Sequence, residues 1–69
     1  MIKIIFLVGK KEINSIILHG SLNTIVPDVA EIVFIDGKMY RVMQREYEYE
    51  TFYNSLIVTI KLVDLGPND

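Results

Sequence analysis

The sequence predicts an all-β fold, a small curled barrel of about five mostly antiparallel strands. Three observations carry that expectation. β-Branched and aromatic residues dominate the apolar runs, an Asp36-Gly37 pair separates two of them, and "REYEYE", Arg45 to Glu50, alternates tyrosine with glutamate. Strict alternation is what a strand with one buried face requires, because successive side chains point to opposite sides of a sheet.

Sixty-nine residues suit a single domain spanning 1–69, with an expected radius of gyration of ~11 Å. A core that small supplies only about 3–5 kcal/mol of net stability, and small domains often add a disulfide, a metal or a partner subunit. The chain has no cysteine, which excludes disulfides and thiolate zinc sites. His19 is its single histidine, so a structural metal has little to bind. No metal and no cofactor is expected, and self-association is the remaining way to bury more surface.

Residues that are 51% hydrophobic and 23% charged fit a folded chain rather than a disordered one. A net charge of −2 lacks the positive field expected of a nucleic-acid binder. The run "IIFLV" is too short to span a bilayer or to form a signal-peptide core. No membrane contact is expected. The absence of cysteine agrees with a reducing compartment, so the expected location is cytoplasmic.

Taken in order, "MIKIIFLV" reads as a first strand, followed by a turn at "GKKE". Ile2, Ile4, Phe6 and Val8 fill one face, and Lys3, Ile5 and Leu7 the other. A strand apolar on both faces is normally covered on both sides. "EINSIILHG" admits two readings. Ile13, Ile16, Ile17 and Gly20 fall at helical spacing, giving an alternative α+β fold with a short helix near residues 12–19. The isoleucines and the short run favour a second strand hairpinned to the first. "SLNTIVP" reads as a connecting loop, with Pro27 ending any regular structure before the next strand.

In "EIVFIDGKMYRV", Asp36-Gly37 predicts a type I′ hairpin turn, since both residues tolerate positive φ. That turn fixes a register: Ile35 faces Lys38, Phe34 faces Met39, Val33 faces Tyr40, and Ile32 faces Arg41. Val33, Tyr40, Ile35 and Val42 then share the core face. The final "GPND" is a polar stop.

The strand beginning at Lys38 can run to Glu50, ~43 Å at ~3.3 Å per residue, about twice the expected diameter of the domain. It must bend or project as an arm. With "FYNS" as the loop, Glu50 pairs with Ile57, Tyr49 with Val58, Glu48 with Thr59, Tyr47 with Ile60, and Glu46 with Lys61. Tyr47, Tyr49, Val58, Ile60 and Leu62 then face inward. Glu46, Glu48, Glu50, Thr59 and Lys61 face water, with Glu46 and Lys61 opposed as an ion pair.

The apolar positions change parity along this hairpin. Tyr40 and Val42 are even, whereas Tyr47 and Tyr49 are odd. The last strand changes likewise, from Val58, Ile60 and Leu62 to Val63 and Leu65. Either a β-bulge near Met43 to Arg45 keeps one face inward, or the far end buries its opposite face against the first two strands or a second subunit.

The candidate binding residues lie on this hairpin. Phe52 and Tyr53 sit at its tip, and exposed aromatics mark contact sites; the other outcome is a tip folded back on the domain. Tyr47 and Tyr49 could stack on nucleic-acid bases while Arg41 and Arg45 meet phosphate, although Glu46, Glu48 and Glu50 would repel that backbone. No catalytic residues are identified. His19, Ser21 and Asp28 could be imagined as a hydrolytic set, but nothing in their spacing supports it. The glycines are isolated turn markers, and carboxylates at alternate strand positions diverge too far for a metal cage. The expected function is a non-enzymatic protein-interaction or assembly module. Its partner is another protein or a second copy, with no small-molecule substrate evident; the alternative is a nucleic-acid-binding small β-barrel.

The stretch "VPDVAEIVFIDGKMYRV", continued by the aromatic-acidic strand and a closing "LIVTIKLVDL", resembles a group of small phage and prophage-type proteins with an SH3-like barrel. In those, a proline and a small residue precede a "V-x-hydrophobic-DG-x-x-Y-x-V" hairpin. The matching positions are Pro27, Val33, Asp36, Gly37, Tyr40 and Val42, within residues 26–65. The resemblance implies a fold and a phage or mobile-element origin more than an activity, and it brings no catalytic residues. A glycine often precedes the acidic residue in that group. Ala30 takes its place here, which counts against a sharp positive-φ turn.

Overall fold

A computed structural model describes residues 1–18 and 26–67. Its strands are β1 (Ile2–Val8), β2 (Lys11–Leu18), β3 (Ile32–Ile35), β4 (Lys38–Glu50) and β5 (Ser55–Pro67). They form one mixed sheet in the order β2-β1-β5-β4-β3, curled into a half-barrel around an apolar core. The fold is all-β, with no helix among the described residues. Residues 12–18 are strand, as their isoleucines favoured; His19 lies outside the described residues.

β1 pairs antiparallel with β2 and parallel with β5. Having neighbours along both edges explains its composition. Ile2, Ile4 and Phe6 are buried on the concave face, while Ile5 and Leu7 on the convex face are half-buried between the flanking strands. Every described strand belongs to this one sheet, so no second layer of strands covers the convex face.

The β3–β4 hairpin has the expected register, Ile35 with Lys38 through Ile32 with Arg41. Asp36 and Gly37 take φ of 51° and 80°, as a type I′ turn requires. The β4–β5 register differs by two residues from expectation: Glu50 pairs with Ser55, Tyr49 with Leu56, Glu48 with Ile57 and Tyr47 with Val58. The loop is Thr51–Asn54 rather than "FYNS". Asn54 adopts φ 50°, a left-handed conformation that asparagine tolerates, and so turns the chain one residue early. A shift of two leaves every side chain on its expected face. Glu46 and Lys61 still form an ion pair, at 2.9 Å, reaching diagonally because Glu46 stands opposite Thr59 and Lys61 opposite Gln44.

The parity change in β4 is a β-bulge. Val42 pairs with Leu62 and Gln44 with Lys61, leaving Met43 extra. One additional residue exchanges odd for even positions, so Tyr40 and Val42 before it share the concave face with Arg45, Tyr47 and Tyr49 after it. The corresponding change in β5 does not turn its apolar residues inward. Leu56, Val58, Ile60 and Leu62 are buried, whereas Val63 and Leu65 are exposed. A second irregularity, opposite Met39 and Tyr40, absorbs Leu65, and Tyr40 fills the core at that level.

The core is centred on Val42, Val58 and Ile60, each 0% exposed. It ends where β4 outruns its cover. β3 accompanies β4 only as far as Arg41, with Ala30 and Glu31 extending the contact to Val42 through N–H···O bonds of 2.8 and 2.9 Å. Tyr47 and Tyr49 are therefore not buried within the monomer, contrary to expectation. They stand on the concave side of the sheet beyond the reach of β3, 49% and 71% exposed. The molecule is correspondingly elongated, 43 Å along its longest axis with a radius of gyration of 12.6 Å. β4 is interrupted by the bulge at Met43 and runs beyond β3 with β5 still beside it.

Ala30 makes the turn its lack of glycine argued against, at φ 76°. The Glu31 amide donates to the Asp28 carbonyl at 3.1 Å, and the Asp28 amide to the Glu31 carboxylate at 2.7 Å. These bonds, with that from Ala30 to Val42, hold a side-chain-bearing residue in a region that costs roughly 1–2 kcal/mol.

Candidate interaction surface

The loop end of the β4–β5 hairpin gathers the aromatic residues singled out above. Phe52 and Tyr53 occupy the middle of the Thr51–Asn54 loop. The Tyr53 amide donates to the Glu50 carbonyl and the Asn54 amide to the Thr51 carbonyl, at 3.2 and 3.3 Å. The Ser55 hydroxyl donates to the Tyr53 carbonyl at 3.2 Å. These bonds fix the loop but give its rings nothing to rest on. The rings meet each other edge to face, with centroids 5.0 Å apart, while Phe52 stays 90% and Tyr53 70% exposed. The tip does not fold back.

Met1 borders the same end. Its carbonyl accepts the Leu56 amide at 3.0 Å, and its amino group donates to the Asn54 carbonyl at 3.5 Å. Sequence reasoning did not find this neighbour, because only the parallel β1–β5 pairing brings residue 1 beside residue 55.

The two arginines do not converge. Arg41 lies between Tyr40 and Val42 and points to the convex side, whereas the bulge puts Arg45 on the concave side with Tyr47 and Tyr49. Arg45 is also engaged, its Nη1 2.9 Å from Asp28 Oδ1. On the convex side Glu46 accepts from Gln44 Nε2 at 3.0 Å and pairs with Lys61, whereas Glu48 is exposed with no ion pair among the described residues. The surface is thus apolar and aromatic on one face and acidic on the other.

A separate cavity of about 360 Å³ opens at the seam of the half-barrel, between β2 and β3. Phe6, Ile16, Val33, Phe34 and Ile35 line it, with Asn14 and Asp36 as its polar groups. No group of three or more histidine, aspartate or glutamate side chains that could hold a metal occurs among the described residues. His19 and Ser21 lie outside those residues, and Asp28 is committed to Arg45.

No family model matches this chain, and no curated protein or solved structure matches it. What stands is therefore the architecture, a small curled all-β sheet with one aromatic end. Among the described residues no helix is long and apolar enough to cross a membrane.

Proposed function

We propose that this protein is a non-enzymatic protein-interaction or assembly module whose contact surface is the aromatic end of the β4–β5 hairpin. One observation carries the reading. Tyr47, Tyr49, Phe52 and Tyr53 form a run of exposed aromatic surface at the end of the sheet where β4 extends beyond β3. Aromatic side chains lose little conformational entropy on contact and serve as interface anchors. The partner is another protein or a second copy of the chain. We place the module in the cytoplasm, a reading supported by its cysteine-free composition. The resemblance of residues 26–65 to phage-type SH3-like proteins supports a mobile-element origin.

The double variant Phe52→Ala/Tyr53→Ala tests this. Both side chains are mostly in solvent, so the melting temperature should stay within the scatter of surface substitutions, about ±0.5 kcal/mol. Association, read as mass by light scattering and as partner capture, should be lost. Unchanged mass together with unchanged capture rejects the reading.

The alternative, a nucleic-acid-binding small β-barrel, draws support from Tyr47 and Tyr49 standing exposed on the same face as Arg45. The Asp28–Arg45 ion pair and the row of glutamates weigh against it. A gel-shift titration separates the two, since phosphate-driven binding weakens steeply as salt rises. No shift at low salt ends the alternative.

A further inference from the structure

Beyond β3, the outer edge of β4 has no strand beside it among the described residues. The direction of its hydrogen-bonding groups follows from its neighbour. Leu56 donates its amide toward β1, to Met1. In an antiparallel ladder both members of a pair turn their backbone groups the same way relative to the shared interface. Tyr49, opposite Leu56, and Tyr47, opposite Val58, therefore direct their N–H and C=O groups away from β5, toward the open edge. Among the described residues, the edge offers donors and acceptors without a strand partner at the very residues whose rings are exposed.

We propose that this edge accepts an extended protein segment as an added strand, one alternating basic with apolar residues. The inference rests on the interaction-module reading and names its partner class. Charge complementarity selects the occupant. An added strand sets one row of side chains against Tyr47 and Tyr49 and the other against Glu46, Glu48 and Glu50. Apolar residues suit the first row and lysine or arginine the second. A second copy's β4 does not fit. Antiparallel registers that bond the tyrosine backbone groups of both copies also set glutamates opposite glutamates: Glu46 against Glu48, Glu48 against Glu48 with Glu46 against Glu50, or Glu48 against Glu50. Like charges directly opposite one another destabilise a strand pair, and charged rows are a usual defence of free edges.

The probe is a short blocked peptide alternating lysine with valine, compared with one of the same composition holding its lysines and valines in separate blocks. Amide hydrogen exchange of the full chain is followed residue by residue. The alternating peptide should protect the Tyr47 and Tyr49 amides, and the blocked-sequence peptide should not. Glu48→Lys, at an exposed position, should weaken binding by about 2- to 30-fold, and added salt should weaken it for the natural chain. Equal protection by both peptides, or no protection of Tyr47 and Tyr49, overturns the proposal. If that happens while Phe52→Ala/Tyr53→Ala still abolishes association, only the partner class falls. If the double variant also changes nothing, the interaction reading falls with it.

Discussion

Deleting Met43 tests the account of how β4 keeps one face inward. As the extra residue of the bulge, Met43 has no partner of its own on β5. Its removal leaves Val42 opposite Leu62 and Gln44 opposite Lys61, now in regular alternation, with Arg45, Tyr47 and Tyr49 still on the concave face. Met43 is 54% exposed. Since full burial of such a side chain is worth about 1.5–3 kcal/mol, losing the buried part costs ~1 kcal/mol. In a domain of this size that lowers the melting temperature by about 4–8 °C. Deleting Thr59 is the matched comparison. Thr59 is paired on both sides, with Ile5 and with Glu46, and lies between Val58 and Ile60, both fully buried. Closing that gap forces one of them out of the core at roughly 2–5 kcal/mol, most or all of the ~3–5 kcal/mol available. Circular dichroism melts should show a cooperative transition without Met43 and none without Thr59. Cross-strand NMR contacts between Tyr47 and Val58 should persist in the first. A Met43 deletion as damaging as the Thr59 deletion, or one that sends Tyr47 to the convex face, would refute the bulge as the origin of the parity change.

Ala30→Gly should raise stability by up to ~1–2 kcal/mol, because glycine adopts the φ of 76° without steric penalty; a lower melting temperature would show that the turn is not strained. Gly37→Ala should lower stability by a similar ~1–2 kcal/mol for the converse reason. A Cβ there meets nothing within 4 Å, so no packing gain offsets the φ of 80°, and an unchanged urea midpoint would count against the type I′ turn. Ile60→Ala removes a fully buried side chain at the centre of the sheet and should cost about 2–5 kcal/mol; a variant that melts like the natural chain would place the core elsewhere.

The local features were legible wherever adjacent residues decide them. Asp36-Gly37 fixes its hairpin because the turn geometry leaves a single register, and alternation in Arg45 to Glu50 assigns each side chain to a face. The clash of parity between Val42 and Tyr47 located the bulge near Met43, since no regular strand can hold both inward. Long-range features escaped for a physical reason. The parallel pairing of β1 with β5 joins residues more than fifty apart, and a buried apolar strand carries no mark of which neighbour it takes. The two-residue offset in β4–β5 escaped because registers two apart present the same faces, and only the left-handed Asn54 distinguishes them. Expecting Tyr47 and Tyr49 in the core treated alternation as proof of burial. Alternation says which residues share a side; the extent of cover depends on the strand next door, and β3, at four residues against thirteen in β4, is too short to provide it.

That mismatch in length bears directly on function. Beyond β3 the outer edge of β4 has no strand beside it among the described residues, and such an edge is a template on which any chain with unpaired backbone groups could grow, a hazard proteins suppress with charge. On β4 the acidic charge is confined to one face. Glu46, Glu48 and Glu50 repel an identical strand, while Tyr47 and Tyr49 on the reverse present exposed rings. A uniformly charged edge would refuse every partner, and a uniformly aromatic one would accept any, including itself. Alternating the two leaves an edge closed to its own kind and open to a strand of opposite charge pattern, so the pairing "YEYE" that reads as ordinary amphipathic sequence is also the part that sets the selectivity we propose.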